Sequence, residues 1–155
     1  MTETFEDFAR YSRQMLVPNM GVAAQQRLQR SRALVLGVGA LGTALASGLV
    51  RAGVGHVRLV DRDFIELHNL QRQTLFDEED IAANLPKAIA AAQKLRKING
   101  SVTVEPVVAD VTHRNIENLM QNGAFWSSEW PCWGAPVTSM VPRIRQWPGP
   151  HQRVQ

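Results

Sequence analysis

The 155-residue sequence predicts an α/β fold built on a doubly wound, mostly parallel sheet, truncated after about three strands. Three observations predict it. "RALVLGV" (32–38) is a short, continuous aliphatic and β-branched run, the composition of a parallel strand buried on both faces. It leads into the glycine turn "GVGALG" (37–42) and a small-residue helical stretch. Two further strand-like runs follow, with a helical stripe between them. Strand, glycine turn, helix, strand, helix, strand is the order of a Rossmann-like fold.

Each element has a local reason. Residues 20–31, "MGVAAQQRLQRS", place Val22, Gln25 and Leu28 at helical spacing and read as a lead-in helix. After the first strand and the glycines, "LGTALASGLVRAG" (41–53) is a helix with Gly53 at the position of a C-terminal cap. "HVRLVD" (56–61) is a second strand ending on an acid. Residues 62–84 are polar and irregular, a length of loop that inside a compact domain is usually functional. "LPKAIAAAQKLRKING" (85–100) reads as a helix, with Pro86 in its first turn, an apolar stripe at Leu85, Ile89, Ala92, Leu95 and Ile98, and Gly100 as its stop. "VTVEPVVAD" (102–110) is a third strand whose Pro106 suggests an edge or a bulge. "THRNIENLMQN" (112–122) opens another helix with Thr112 as N-cap.

The length suits one domain, and the chain divides into a helical lead-in (1–31), a partial nucleotide-binding domain (32–122) and a tail (123–155). The tail differs in composition from what precedes it. It holds all four Trp, five of the eight Pro and the only Cys, with no Lys and no Asp, as an out-of-frame translation or a foreign junction would; a natural proline-rich tail is the alternative.

Two of the three excess positive charges also fall in the tail, and elsewhere acids and bases are interspersed, so no nucleic-acid partner is expected. The single Cys132 excludes an intramolecular disulfide framework, and its neighbours offer nothing to activate a thiol. His56, His68, His113 and His151 lack ligand spacing, and no metal-binding side chains are assigned. The acidic start has no apolar segment of a leader peptide, and no apolar run reaches membrane-spanning length, so a cytoplasmic protein without membrane attachment is expected.

Gly37, Gly39 and Gly42 form G-x-G-x-x-G between a strand and a helix, with Asp61 at the end of the next strand. Glycine lets a phosphate approach the backbone, the helix N-terminus offers unpaired N–H groups, and the carboxylate can accept from ribose hydroxyls. That much fits NAD and ATP alike. "HNLQRQ" (68–73) favours a triphosphate, since Arg72 presents a rigid fork of donors and Asn69, Gln71 and Gln73 add neutral ones. Lys87 adds an ammonium at the start of its helix. Asp63 and Glu66 are read as solvated, paired with local cations, or assisting a metal.

"RYSRQMLVP", "GVGALG", "VDRDFIELHNLQRQTLF", "LPKA" and "INGSVTVEP", in this order from about Arg10 to Asn122, resemble the ThiF/MoeB/HesA family, the bacterial relatives of ubiquitin-activating enzymes. The resemblance implies binding of ATP with Mg2+ and adenylation of the C-terminal glycine of a ubiquitin-like sulfur-carrier protein. It implies that Asp61 holds the ribose, that Asn69, Arg72 and Lys87 contact the phosphates, and that Gln71 and Gln73 line the segment. Arg13 matches a residue inserted into the neighbouring subunit's site, so a homodimer is implied. Ala40 stands where many relatives have glycine. Arg13, Arg72 and Lys87 are then the groups that neutralise charge during attack on the α-phosphorus.

The family pattern continues with a fourth strand and a magnesium-binding aspartate, which are not recognisable here. An impaired copy with an uncovered sheet edge, marginal in stability, is therefore expected. The competing readings are a non-catalytic nucleotide-binding or dimerising module and, on the glycine turn and Asp61 alone, an NAD-dependent oxidoreductase.

Overall fold

The computed structural model describes residues 6–120 and 124–127, the last four through their backbone pairing. After two 3₁₀ turns, Glu6–Tyr11 and Gln14–Leu16, the chain forms α1 (Val22–Arg30), β1 (Arg32–Leu36), α2 (Ala40–Ala52) and β2 (His56–Val60). A 3₁₀ turn at Leu67–Asn69 precedes α3 (Glu78–Ala82), α4 (Lys87–Ile98), β3 (Thr103–Val107), α5 (Ile116–Leu119) and β4 (Ala124–Ser127). The α/β class and the three expected strands are found. No helix among the described residues is long and apolar enough to cross a membrane.

The sheet is parallel throughout, in the order β3-β2-β1-β4. Arg32 pairs with His56 and Leu36 with Val60, and β2 pairs onward from His56↔Thr103 to Val60↔Val107. β3 lies at an edge, which is why Pro106 is tolerated within it. On the other side of β1, Ala33 pairs with Ala124 and Leu36 with Ser127.

This fourth strand corrects the expectation of a sheet ending after three strands with the edge of β1 uncovered. Four residues suffice, because β1 presents a complete row of backbone donors and acceptors to pair with. The chain thus winds from β1 to β3 in one direction and returns to β1's other side, creating a reversal point between β1 and β4. Residues 121–123 and 128–155, with the expected Cys132 and His151, lie outside the described residues.

The main core lies where α2 and α4 cover one face of the sheet. Val35, Val57, Leu59 and Val104 meet Ala46 and Val50 of α2 and Ala91 and Leu95 of α4. Alanines on both helices allow close approach. On the opposite face a smaller cluster joins Leu34 and Val60 to Ile116 and Met120.

Several local boundaries differ from expectation. Pro86 is the cap preceding α4 rather than a residue within its first turn, making Lys87 the first helical residue. α4 ends at Asn99, not through Gly100: the buried Asn99 side chain donates to Tyr11 Oη and to the Val50 carbonyl, both at 2.9 Å. Asn115, not Thr112, occupies the cap position of the short α5, while the Thr112 hydroxyl accepts from Arg114 N in the preceding turn. The stretch 62–84 is not wholly irregular, since Asp77 and Asp80 form a reciprocal capping box that starts α3.

Gly53 caps α2 as expected, in a left-handed conformation with φ 83°. Gly55 does more. A Cβ there would lie 1.7 Å from the Gln29 carbonyl oxygen, so only glycine lets β2 start against the end of α1. Gly48, within α2, faces open space: beyond its own stretch of helix, no atom of the described residues comes within 4 Å of where a Cβ would stand. Gly55→Ala is expected to lower stability by roughly 2 kcal/mol or more through overpacking of backbone on backbone. Gly48→Ala should raise stability by about 0.5–1 kcal/mol. Paired urea denaturation of the two variants checks this, and equal midpoints would contradict it.

Candidate functional site

The site begins where β1 ends. Gly37 adopts φ 79°, and its N–H extends the β1–β2 ladder by donating to the Val60 carbonyl at 2.9 Å. The chain can then turn sharply into α2. The next N–H, of Val38, donates to Asp61 Oδ2 at 2.6 Å, and Asp61 Oδ1 accepts from Asp63 N at 2.8 Å. Asp61 therefore ties the glycine bend to the segment leaving β2, and each of its oxygens retains lone-pair capacity for a further donor.

Gly39 is the N-cap of α2, with no side-chain cap and no acid in the first turn. The leading N–H groups of a helix have no partner within it, so this end is an electropositive anion-binding surface. It opens at the carboxyl end of β1, next to the reversal point of the sheet, where open α/β sheets bind ligands. Ala40 is exposed at the first helical position, and Gly42 is buried.

The loop after β2 returns Lys87 to the same place. Phe64 and Pro86 form an antiparallel bridge, Lys87 N donates to the Asp63 carbonyl at 2.8 Å, and Lys87 Nζ reaches Asp63 Oδ2 at 3.3 Å. Lys87 is buried, whereas Asp63 is largely exposed. An unbroken run of bonds thus links Val38, Asp61, Asp63 and Lys87.

The residues of "HNLQRQ" divide among different tasks. Asn69 is buried and its Oδ1 accepts from Glu66 N, closing a capping box around the 3₁₀ turn. Gln71 is exposed, and the exposed Arg72 donates to the His68 carbonyl at 2.9 Å. Gln73 is buried, with Nε2 beside Gly39. Glu66 pairs with His68, and Asp63 pairs with Lys87 and lies 3.8 Å from Arg62.

Arg13 is not part of this assembly. Its segment is strapped to the opposite end of α2, where Tyr11 packs over Gly53 and both Gln14 and Gln25 donate to the Ala52 carbonyl. The thirteen residues of α2 separate the two ends by about 20 Å. Exposed Arg13 cannot reach the bend of its own chain.

Other charged groups serve the scaffold. At the amino end of the sheet, Glu105 accepts from Arg58 at 2.9 Å and lies 3.1 Å from His56. The hydrogen bond from Arg58 holds the Glu105 carboxyl below its ordinary range, and burial, aided by Arg32, lowers His56. His113 is exposed. Among the described residues, no group of three or more His, Cys, Asp or Glu could hold a metal ion.

The ThiF family profile matches residues 11–125, most of the chain. The chain belongs to the ThiF family. It is 50% identical over 116 residues to the sulfur carrier protein ThiS adenylyltransferase of Bacillus subtilis, a match covering 75% of this chain and 34% of that protein. It is 45% identical over 114 residues to the sulfur carrier protein ThiS adenylyltransferase of Escherichia coli, covering 74% of this chain and 45% of that one. Among solved structures, E. coli MccB with ATP superposes with a TM-score of 0.66 at 29% identity, covering 70% of this chain and 33% of that one. E. coli TcdA, a tRNA N6-threonylcarbamoyladenosine dehydratase in complex with AMP, gives 0.72 at 26% identity, covering 82% and 51%. This ThiF-family chain spans about a third of the length of the Bacillus relative.

One cluster missed in the sequence orders the loop that carries the site. Lys94 of α4 binds both Asp77, at the cap of α3, and the buried Asp80, the latter at 2.9 Å. The hydrogen bond from Lys94 lowers the Asp77 pKa. Because Asp77's folded pKa lies below its unfolded value, its contribution to stability is complete above that value, near pH 4, and is lost as pH falls through the folded pKa. Lys94→Met leaves the buried Asp80 without its cation and is expected to destabilise the fold by roughly 1–3 kcal/mol at pH 7. The gap from the unsubstituted protein should narrow below pH 4, as read from urea midpoints at both pH values.

Proposed function

We propose that this chain is the nucleotide-binding part of an ATP-dependent adenylyltransferase acting on the C-terminal glycine of a ubiquitin-like sulfur-carrier protein. The observation that carries this reading is the bonded run from the glycine bend through Asp61 and Asp63 to the buried Lys87. It gathers a ribose acceptor, a helix N-terminus and a cation at one reversal point. A nicotinamide dinucleotide does not call for that cation. Membership of the ThiF family and likeness to structures solved with ATP and AMP support the same choice.

In this reading the free lone pairs of Asp61 accept from ribose hydroxyls, and the α2 N-terminus beyond Gly37 and Gly39 takes phosphate oxygens. Lys87 exchanges Asp63 for a phosphate, and Arg72 exchanges the His68 carbonyl. Asn69 and Gln71 support the turn that presents Arg72. The carrier's carboxylate attacks the α-phosphorus and pyrophosphate leaves. Both reactants are anionic, so these residues act by alignment and charge neutralisation.

Arg13 acts in a second copy's site, since its own bend is at the other end of α2, and the working unit is a homodimer. The described side chains do not form a magnesium-binding set, so no step is routed through that ion. A reducing, cytoplasmic setting fits a chain with one cysteine.

That donor set among the described residues also favours a second reading, in which the chain binds nucleotide and dimerises without turnover. ATP–pyrophosphate exchange in the presence of a carrier ending in Gly-Gly separates the two. For binding itself, calorimetry should give an ATP affinity that Lys87→Met weakens roughly ten- to hundredfold, the range of a charge-assisted hydrogen bond. Tight NADH binding without ATP binding would overturn the assignment.

A further inference from the structure

Gln73 is the one side chain in this region whose position the fold does not explain. It is 3% exposed, and its Oε1 is buried without a hydrogen-bond partner. Its Nε2 lies 3.9 Å from the point a Cβ on Gly39 would occupy, and outside Gly39's own chain neighbours no other atom of the described residues comes within 4 Å of that point. The amide therefore sits over the uncapped N-terminus of the thirteen-residue α2.

A buried amide carbonyl without a donor destabilises a fold. Methionine or leucine would occupy the same space without that penalty, so packing alone gives no reason for glutamine. The backbone is also held firmly. Gln73 N donates to the Asn69 carbonyl at 3.0 Å, and its own carbonyl accepts at 3.1 Å from Phe76 N, whose side chain is in the main core. The amide is thus fixed in place before any ligand arrives.

We propose that Gln73 is a phosphate-binding residue, its Nε2 donating to a nucleotide phosphate seated on the α2 N-terminus. The proposal rests on the nucleotide reading above and adds a neutral donor beside the bend. Glycine at position 39 then has a function beyond the turn: it keeps the space beneath the amide open for an oxygen atom. The unpartnered Oε1 is the cost in the empty protein of holding that donor ready.

This gives opposite signs for stability and binding, which a purely structural glutamine would not. Gln73→Met should leave the melting temperature of the ligand-free protein unchanged or raise it. It should weaken both ATP and inorganic tripolyphosphate roughly tenfold or more by calorimetry, while any binding of adenosine is unchanged. Gln73→Glu keeps the shape but replaces the donor with an acceptor. It should weaken the same two anions further, and it provides the test if the methionine variant does not fold.

If the unsubstituted chain binds neither ATP nor tripolyphosphate, the nucleotide reading fails and this inference with it. If it binds them and both variants bind equally well, the inference alone is overturned. It is likewise overturned if ATP binding weakens while tripolyphosphate binding does not.

Discussion

The structure of the site depends on one carboxylate. Asp61 receives the Val38 N–H on one oxygen and the Asp63 N–H on the other. The first bond fixes the exit of the glycine bend against the end of β2, and the second directs the departing loop toward Lys87. Both are charge-assisted, so they constrain backbone on two sides of one side chain more strongly than neutral bonds would. A carboxylate that only waited for a ribose would leave the bend and the loop as independent pieces. Here it joins them, and ligand binding and local order share a residue.

α2 organises the remainder through its two unlike ends. Its amino end has no cap and faces the reversal point of the sheet, leaving its N–H groups for an anion. Its carboxyl end is saturated: Gly53 caps it, Asn99 binds the Val50 carbonyl, and Gln14 and Gln25 bind the Ala52 carbonyl. Those bonds secure the N-terminal segment far from the bend. The position of Arg13 follows from where a helix can offer carbonyl groups and where it cannot.

The loop between β2 and α4 is a compromise between presentation and order. Its cations are held by partners that an anion can replace: Lys87 by an exposed carboxylate, Arg72 by a backbone carbonyl. The groups securing the loop, by contrast, are withdrawn from that surface. Asn69 closes its turn, and Asp77 and Asp80 bind Lys94 on α4. Neighbouring residues in the sequence thereby separate into scaffold and binding surface.

The α/β class, the glycine bend, the second strand ending at Asp61 and the helix starting near Lys87 were legible in the sequence, because each arises from contacts within a few residues. Buried parallel strands need continuous aliphatic runs, and a tight strand-to-helix turn needs glycine. The fourth strand was not legible, since its pairing depends on the free edge of β1 rather than on a strong local pattern. Nor did spacing separate Asn69, which closes a turn, from Gln73, which reaches Gly39 across more than thirty residues. Local order along the chain determined the elements; only tertiary structure decided which polar side chains face the bend, because that choice depends on packing between segments remote in sequence.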